Sequence, residues 1–177
     1  MRSHRLVGLV VALAFGLLVG ACGSGESSGG GATASADSSS ADGDAVDFTA
    51  ATLDGGELAA GSLEGSDTVL WFWAPWCTIC RAEAPDVVAA ADAFEGEVEI
   101  IGVAGRGSVS EMEAFVDDTE TGALTHVVDA DGTVWSSFEV FAQPAFAFVD
   151  DSGEVEVFVG TLGEQALTER MDDLLAA

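Results

Sequence analysis

The sequence predicts an α/β domain: a central mixed sheet flanked by helices, with an added β-hairpin at its N-terminal side. Three observations carry this. From Val46 onward, apolar runs of strand length alternate with longer amphipathic stretches of helix length. The run "TVLWFWA" (68–74) is continuously apolar after Thr68, as in a strand covered on both faces, and "VEIIGVAG" (98–105) reads as another buried strand. Finally, "PAFAFVDDSGEVEVFVG" folds back across Asp151-Ser152-Gly153 as an antiparallel hairpin, so the sheet is mixed.

The chain begins with an address. Arg2, His4 and Arg5 form a positive stretch, and Leu6 to Val19 is an unbroken apolar run. It is short for a membrane span and right for the core of a signal peptide over residues 1–21. The run closes on Leu18-Val19-Gly20-Ala21-Cys22, which resembles the bacterial lipobox. That resemblance implies cleavage before Cys22, acylation of its thiol, and anchoring to the outer face of the cell membrane. Residues 22–45 then hold Cys22 and a Gly, Ser, Ala and Asp segment without large apolar side chains, which reads as a flexible tether. The compartment is therefore extracytoplasmic, where disulfides persist.

The elements of the domain over 46–177 follow in order. "DFTAATLDGGEL" gives two short strands around Asp54-Gly55-Gly56. "CTICRAEAPDVVAAADAF" continues from the first buried strand as a helix, with Pro85 inside it as an expected kink. Ser108 and Glu111 have capping-box spacing and open a helix with Met112, Phe115 and Val116 on one face. "THVVDADGTVWSSFEV" reads as a strand, an Asp-Gly turn and a brief helix. The final helix starts near Glu164 and turns Leu167, Met171, Leu174 and Leu175 inward.

The charge excludes some functions. Five basic residues stand against 31 acidic ones, a net charge of -26, and there is no lysine. Such a surface repels nucleic acid and does not suit anionic headgroups. It fits a soluble extracellular surface or adaptation to high salt.

Cys77 and Cys80 remain as the chemistry-bearing pair. At the N-terminus of a helix a thiolate meets free N–H groups and the positive end of the dipole, which lowers its pKa. Cys77 is then an exposed nucleophile. Cys80, one turn on and more buried, resolves the mixed disulfide. A zinc site would need carboxylates beside the two cysteines and His126. Covalent haem attachment needs a histidine where Arg81 stands. A structural disulfide closing so short a loop gains little. Neither a metal nor another cofactor is expected.

The segment "FWAPWCTICRAEAP" (72–85) resembles the active-site segment of the TlpA/ResA/DsbE-like extracytoplasmic thiol–disulfide oxidoreductases, roughly FWAxWCxxCxxExP. Phe72, Trp73, Ala74, Trp76, Cys77, Cys80, Glu83 and Pro85 match it. The resemblance runs from about Asp47 to the C-terminus and implies a thioredoxin fold. It also implies a redox-active Cys77–Cys80 disulfide, and a cis bond at Pro144 that shapes the surface facing Cys77. By the same resemblance the Gln143 backbone pairs with substrate, and Trp76 gives it an apolar contact. The implied partners are exported protein thiols or disulfides and a membrane electron-transfer partner. Thioredoxins proper carry a buried Asp where Trp71 stands, so Glu83 becomes the candidate acid/base for Cys80. Gln143 replaces a common Thr, and Thr78-Ile79 leaves the redox direction open. Disulfide donation is slightly favoured over reduction of apocytochrome c or other exported thiols. A peroxiredoxin would need the pattern Pro-xxx-Thr/Ser-xx-Cys, which neither cysteine has. A redox-inactive binding module on the same fold is the reading from another class. His126 and Trp135 are expected to be structural.

Overall fold

The computed structural model describes residues 47–177. The leader, Cys22 and the tether lie outside the described residues. Strands β1 (Thr49–Ala51) and β2 (Glu57–Ala59) pair antiparallel as the expected hairpin. The main sheet holds β3 (Thr68–Trp73), β4 (Glu99–Gly105), β5 (Thr125–Asp129), β6 (Ala145–Val149) and β7 (Val155–Val159), in the order β5-β4-β3-β6-β7. The β3 strand lies parallel to β4 and antiparallel to β6, so the sheet is mixed. Helices α1 (Thr78–Ala93), α2 (Val109–Thr119), α3 (Thr133–Ser137) and α4 (Glu164–Leu174) complete the thioredoxin fold.

All six residues of β3 are buried, which explains the unbroken apolar run. Side chains alternate across a strand, so the run feeds two cores. Val69, Trp71 and Trp73 join Ala84 and Val87 of α1, Met112 and Phe115 of α2, and Leu167 and Met171 of α4. Leu70 and Phe72 meet Ile101, Val103, Trp135, Phe138 and Phe48 on the other face. The Trp73 and Phe115 rings stack with centroids 4.1 Å apart.

Two glycines in β4 make room for rings. A Cβ at Gly102 would lie 2.7 Å from Trp73 Nε1, and one at Gly105 would lie 2.7 Å from the Trp135 indole. Glycine in a strand interior marks such close approach. Trp135 is 3% exposed, as expected of a core residue, and its Nε1–H donates to the Val103 carbonyl at 3.2 Å. His126 is also buried, and its Nε2 donates to the Thr121 carbonyl at 3.0 Å. Burial pushes its pKa below the usual histidine value.

Several local expectations are met. The Glu111 carboxylate accepts from the Ser108 N–H at 2.9 Å and so opens α2. Asp150 Oδ1 accepts from the N–H groups of Ser152 and Glu154 and closes the β6–β7 turn. Pro85 lies inside α1, where its missing N–H deprives the Arg81 carbonyl of its helical donor. One expectation fails: Leu175 is 41% exposed. The α4 helix ends at Leu174, so Leu175 turns off the inward stripe.

Candidate active site

The site forms at the carboxyl ends of β3 and β4, where open α/β sheets place their ligand crevices. After β3 the chain turns through Ala74-Pro75-Trp76, closed by the Cys77 N–H donating to the Ala74 carbonyl at 3.0 Å. Cys77 has extended backbone angles and is the N-cap of α1. Its sulfur accepts the Cys80 N–H at 3.1 Å. A capping acceptor normally is an oxygen of Ser, Thr, Asp or Asn; here it is the sulfur, aimed into the free N–H groups of the first turn.

Cys77 and Cys80 are joined in a disulfide with Cα atoms 5.3 Å apart. Cys80 is fully buried, and Cys77 keeps only 6% of its surface. The expectation of an exposed Cys77 is corrected accordingly. Its capping role draws the sulfur over the helix end, and the residue belongs to the core on that face of the sheet. Of the two residues, Cys77 keeps the greater exposure.

Glu83 lies one turn beyond Cys80 on the same side of α1 and is 3% exposed. Trp71 Nε1–H donates to its Oε1 at 2.8 Å, and Thr161 Oγ1–H donates to its Oε2 at 2.6 Å. Burial raises its pKa above the usual carboxylate value, and the bonds from Thr161 and Trp71 pull the other way. A buried carboxyl whose pKa is raised in this way is a candidate proton donor or acceptor. Trp71, standing where thioredoxins have their proton acceptor, does not replace it chemically. It hands an N–H to Glu83 instead. Neither Trp71 nor Thr161 was identifiable from sequence as a partner of that carboxyl.

The rim is apolar and exposed. Trp76 is 59% exposed, Ile79 55% and Phe141 72%. The Gln143–Pro144 peptide bond is cis, with Pro144 buried and Gln143 half-buried just before β6. Because β6 pairs with β3 through Ala145 and Phe72, this turn stands beside the end of β3 from which Cys77 follows. Among the described residues, the Gln143 main-chain N–H and carbonyl have no hydrogen-bond partner. Arg106, at the end of β4, reaches the same rim. Its carbonyl accepts from Trp76 Nε1 at 2.8 Å, and its guanidinium donates to the Phe141 carbonyl at 2.7 Å. Sequence reading missed Arg106 and Phe141. The only available signal was a lone arginine between two glycines, directly after a buried strand.

A thioredoxin fold with a two-cysteine disulfide capping its first long helix defines the class of the thiol–disulfide proteins. The chain belongs to the AhpC/TSA family, whose model matches residues 42–158. It is similar to the soluble secreted antigen MPT53 of Mycobacterium tuberculosis, 42% identical over 108 residues, and spans 61% of that relative's length and 61% of its own. Among solved structures it resembles MTB dsbF in its mixed oxidized and reduced forms, with 44% identity and a TM-score of 0.71 over 73% of this chain and 96% of that one. It also resembles a secreted Mycobacterium tuberculosis disulfide oxidoreductase homologous to E. coli DsbE, with 36% identity and a TM-score of 0.68 over 73% of this chain and 97% of that one. Among the described residues no helix is long and apolar enough to cross a membrane.

Proposed function

We propose that the protein is an extracytoplasmic, membrane-anchored thiol–disulfide oxidoreductase that exchanges disulfides with exported proteins. The observation that carries this is the Cys77–Cys80 disulfide at the N-terminus of α1, with one sulfur marginally accessible and the other enclosed. As disulfide donor, the protein is attacked at Cys77 Sγ by a substrate thiolate. The Cys77–Cys80 bond breaks, a mixed disulfide forms, and Cys80 leaves as a thiolate that takes a proton from the Glu83 carboxyl. A second substrate thiolate then attacks the substrate sulfur of the mixed disulfide. It expels Cys77 as a thiolate facing the free N–H groups of α1. Two electrons have passed from substrate to protein, and a membrane partner must remove them.

The apolar rim of Trp76, Ile79 and Phe141 suits the apolar side chains of a segment that is not yet folded. The unpaired main-chain groups of Gln143 suit an extended strand laid across the cis turn.

The test is the reduction potential of the Cys77–Cys80 pair in glutathione redox buffers, with the fraction reduced read by alkylation and mass spectrometry. The expected result is roughly -180 to -120 mV, the range of disulfide donors. A value near about -270 mV, that of thioredoxin, would make the protein a reductant instead. Full retention of biological function after Cys77→Ser would leave only the binding-module reading.

The anchor rests on Leu18-Val19-Gly20-Ala21-Cys22 and the tether that follows. Protein extracted from membranes is expected to begin at an acylated Cys22. An intact Met1 start, or a processed and unacylated chain, would remove the anchor from the proposal.

A further inference from the structure

Arg106 is held where the parts of the rim meet, and the thiol chemistry above does not use it. The described residues include three arginines. Arg81 pairs with Asp118 at 3.1 Å, and Arg170 pairs with Glu156 at 2.9 Å. Arg106 pairs with no carboxylate among the described residues, although the chain carries 31 of them. Its guanidinium goes to neutral acceptors instead: the Phe141 carbonyl at 2.7 Å and Gln143 Oε1 at 3.4 Å. It also lies over the Trp135 ring, 4.8 Å from the centroid.

The backbone adds an independent observation. Arg106 has φ 58, in the left-handed region that is unfavourable for a side-chain-bearing residue. In that conformation its carbonyl accepts the Trp76 indole N–H at 2.8 Å. The flanking positions permit the turn only as glycines, because a Cβ at Gly105 would meet Trp135 and one at Gly107 would meet Pro75. A single residue thus joins the Trp76 side of Cys77 to the cis-proline side. Among the described residues, no other side chain bonds to the main chain of 141–143. Without Arg106 that stretch is tethered only at its ends, by Val140 to Trp135 and by Pro144 to Gly160.

We infer that Arg106 is the positioning residue of the substrate slot, fixing the 141–143 turn against Trp76 so that an extended polypeptide thiol is presented to Cys77. The inference rests on the oxidoreductase reading. A preformed slot spares the ordering of a loop on binding and holds the attacking sulfur in line with the disulfide. A small thiol needs no such slot, so Arg106 sets the preference for polypeptide over small-molecule thiols.

The experiment compares two reductants of the full-length oxidised protein: a peptide with two cysteines, and dithiothreitol. In either reaction two thiols of the reductant become a disulfide, and Cys77 and Cys80 become thiols. Arg106→Gly removes the guanidinium and keeps the left-handed backbone. Arg106→Lys keeps the charge and loses the two-pronged reach. Arg106→Gly is expected to lower the peptide rate constant about tenfold more than the dithiothreitol rate constant, the worth of one charge-assisted hydrogen bond. Arg106→Lys is expected to lose most of the same factor. An unchanged ratio in Arg106→Gly, or a wild-type ratio in Arg106→Lys, overturns the inference. A wild-type protein inert to dithiothreitol would instead overturn the redox reading itself.

Discussion

Cys80→Ser is expected to stop the reaction half-way. On the proposed mechanism, Cys80 is the protein's own group that displaces a substrate bound through Cys77, being its disulfide partner three residues on and fully buried. Its loss leaves a free Cys77 that forms mixed disulfides with substrate and has no second sulfur beside it to release them. Incubated with a disulfide-bearing peptide, the variant should accumulate a stoichiometric adduct, seen as a mass increase of one peptide and reversed by dithiothreitol. Cys77→Ser should form no adduct at the remaining Cys80, since that sulfur has no accessible surface. An adduct in the Cys77→Ser protein of the same yield would exchange the two roles.

The second large effect is expected at Glu83. Its carboxyl is buried, bonded by Trp71 and Thr161, and has its pKa raised chiefly by burial. Glu83→Gln fits the same space. Its carbonyl oxygen can accept from Trp71, and its amide can donate to Thr161, whose hydroxyl is free to turn. On the proposed mechanism the proton transfer at Cys80 is lost, so the step that makes or breaks the Cys77–Cys80 bond should slow about a hundredfold, the lower range of general acid–base contributions. The pH limb that follows the Glu83 ionisation should vanish with it.

Stability should move the other way. A carboxyl whose folded pKa is raised contributes stability that is fully present below the unfolded value of 4.5 and lost as pH rises through the folded value. Above that folded value the wild type carries a buried charge that Gln does not. Glu83→Gln should be the more stable protein there, with the gap closing as pH falls toward 4.5. Urea unfolding at several pH values and single-turnover exchange give both readings. A variant equal to wild type in rate would reduce Glu83 to a packing role.

Some of this was legible in the sequence. The six-residue run Thr68–Trp73 announced a strand covered on both faces, because no polar position interrupts it. Cys77 could be placed at a helix start because the helix-length stretch that follows that strand begins with it. The cis bond before Pro144 followed from the family resemblance rather than from local pattern. What stayed hidden was the set of bonds between distant segments. Glu83 meets Trp71 across 12 positions and Thr161 across 78. Arg106 reaches Phe141 across 35. Such contacts depend on β3 standing between β4 and β6, and a period of two or 3.6 residues carries no information about strand order. The depth of Cys77 was hidden for a related reason. Motif spacing places the sulfur at a helix end but does not say what packs over it.

The N-cap bond at Cys77 also enters the thermodynamic link between redox potential and folding stability. In an unfolded copy of the chain, Cys77 and Cys80 are ordinary thiols three residues apart. The folded pair departs from that reference by the difference in stability between the oxidised and reduced folds, with about 30 mV for each 1.4 kcal/mol. On reduction, the sulfur that accepts the Cys80 N–H can become an anion, and that bond strengthens. Anything that tightens the first turn of α1 around a thiolate stabilises the reduced fold and makes the protein a stronger oxidant. Anything that loosens it does the reverse. Whichever way electrons flow through this chain, its potential is thus written in how much better or worse it folds once the disulfide is reduced.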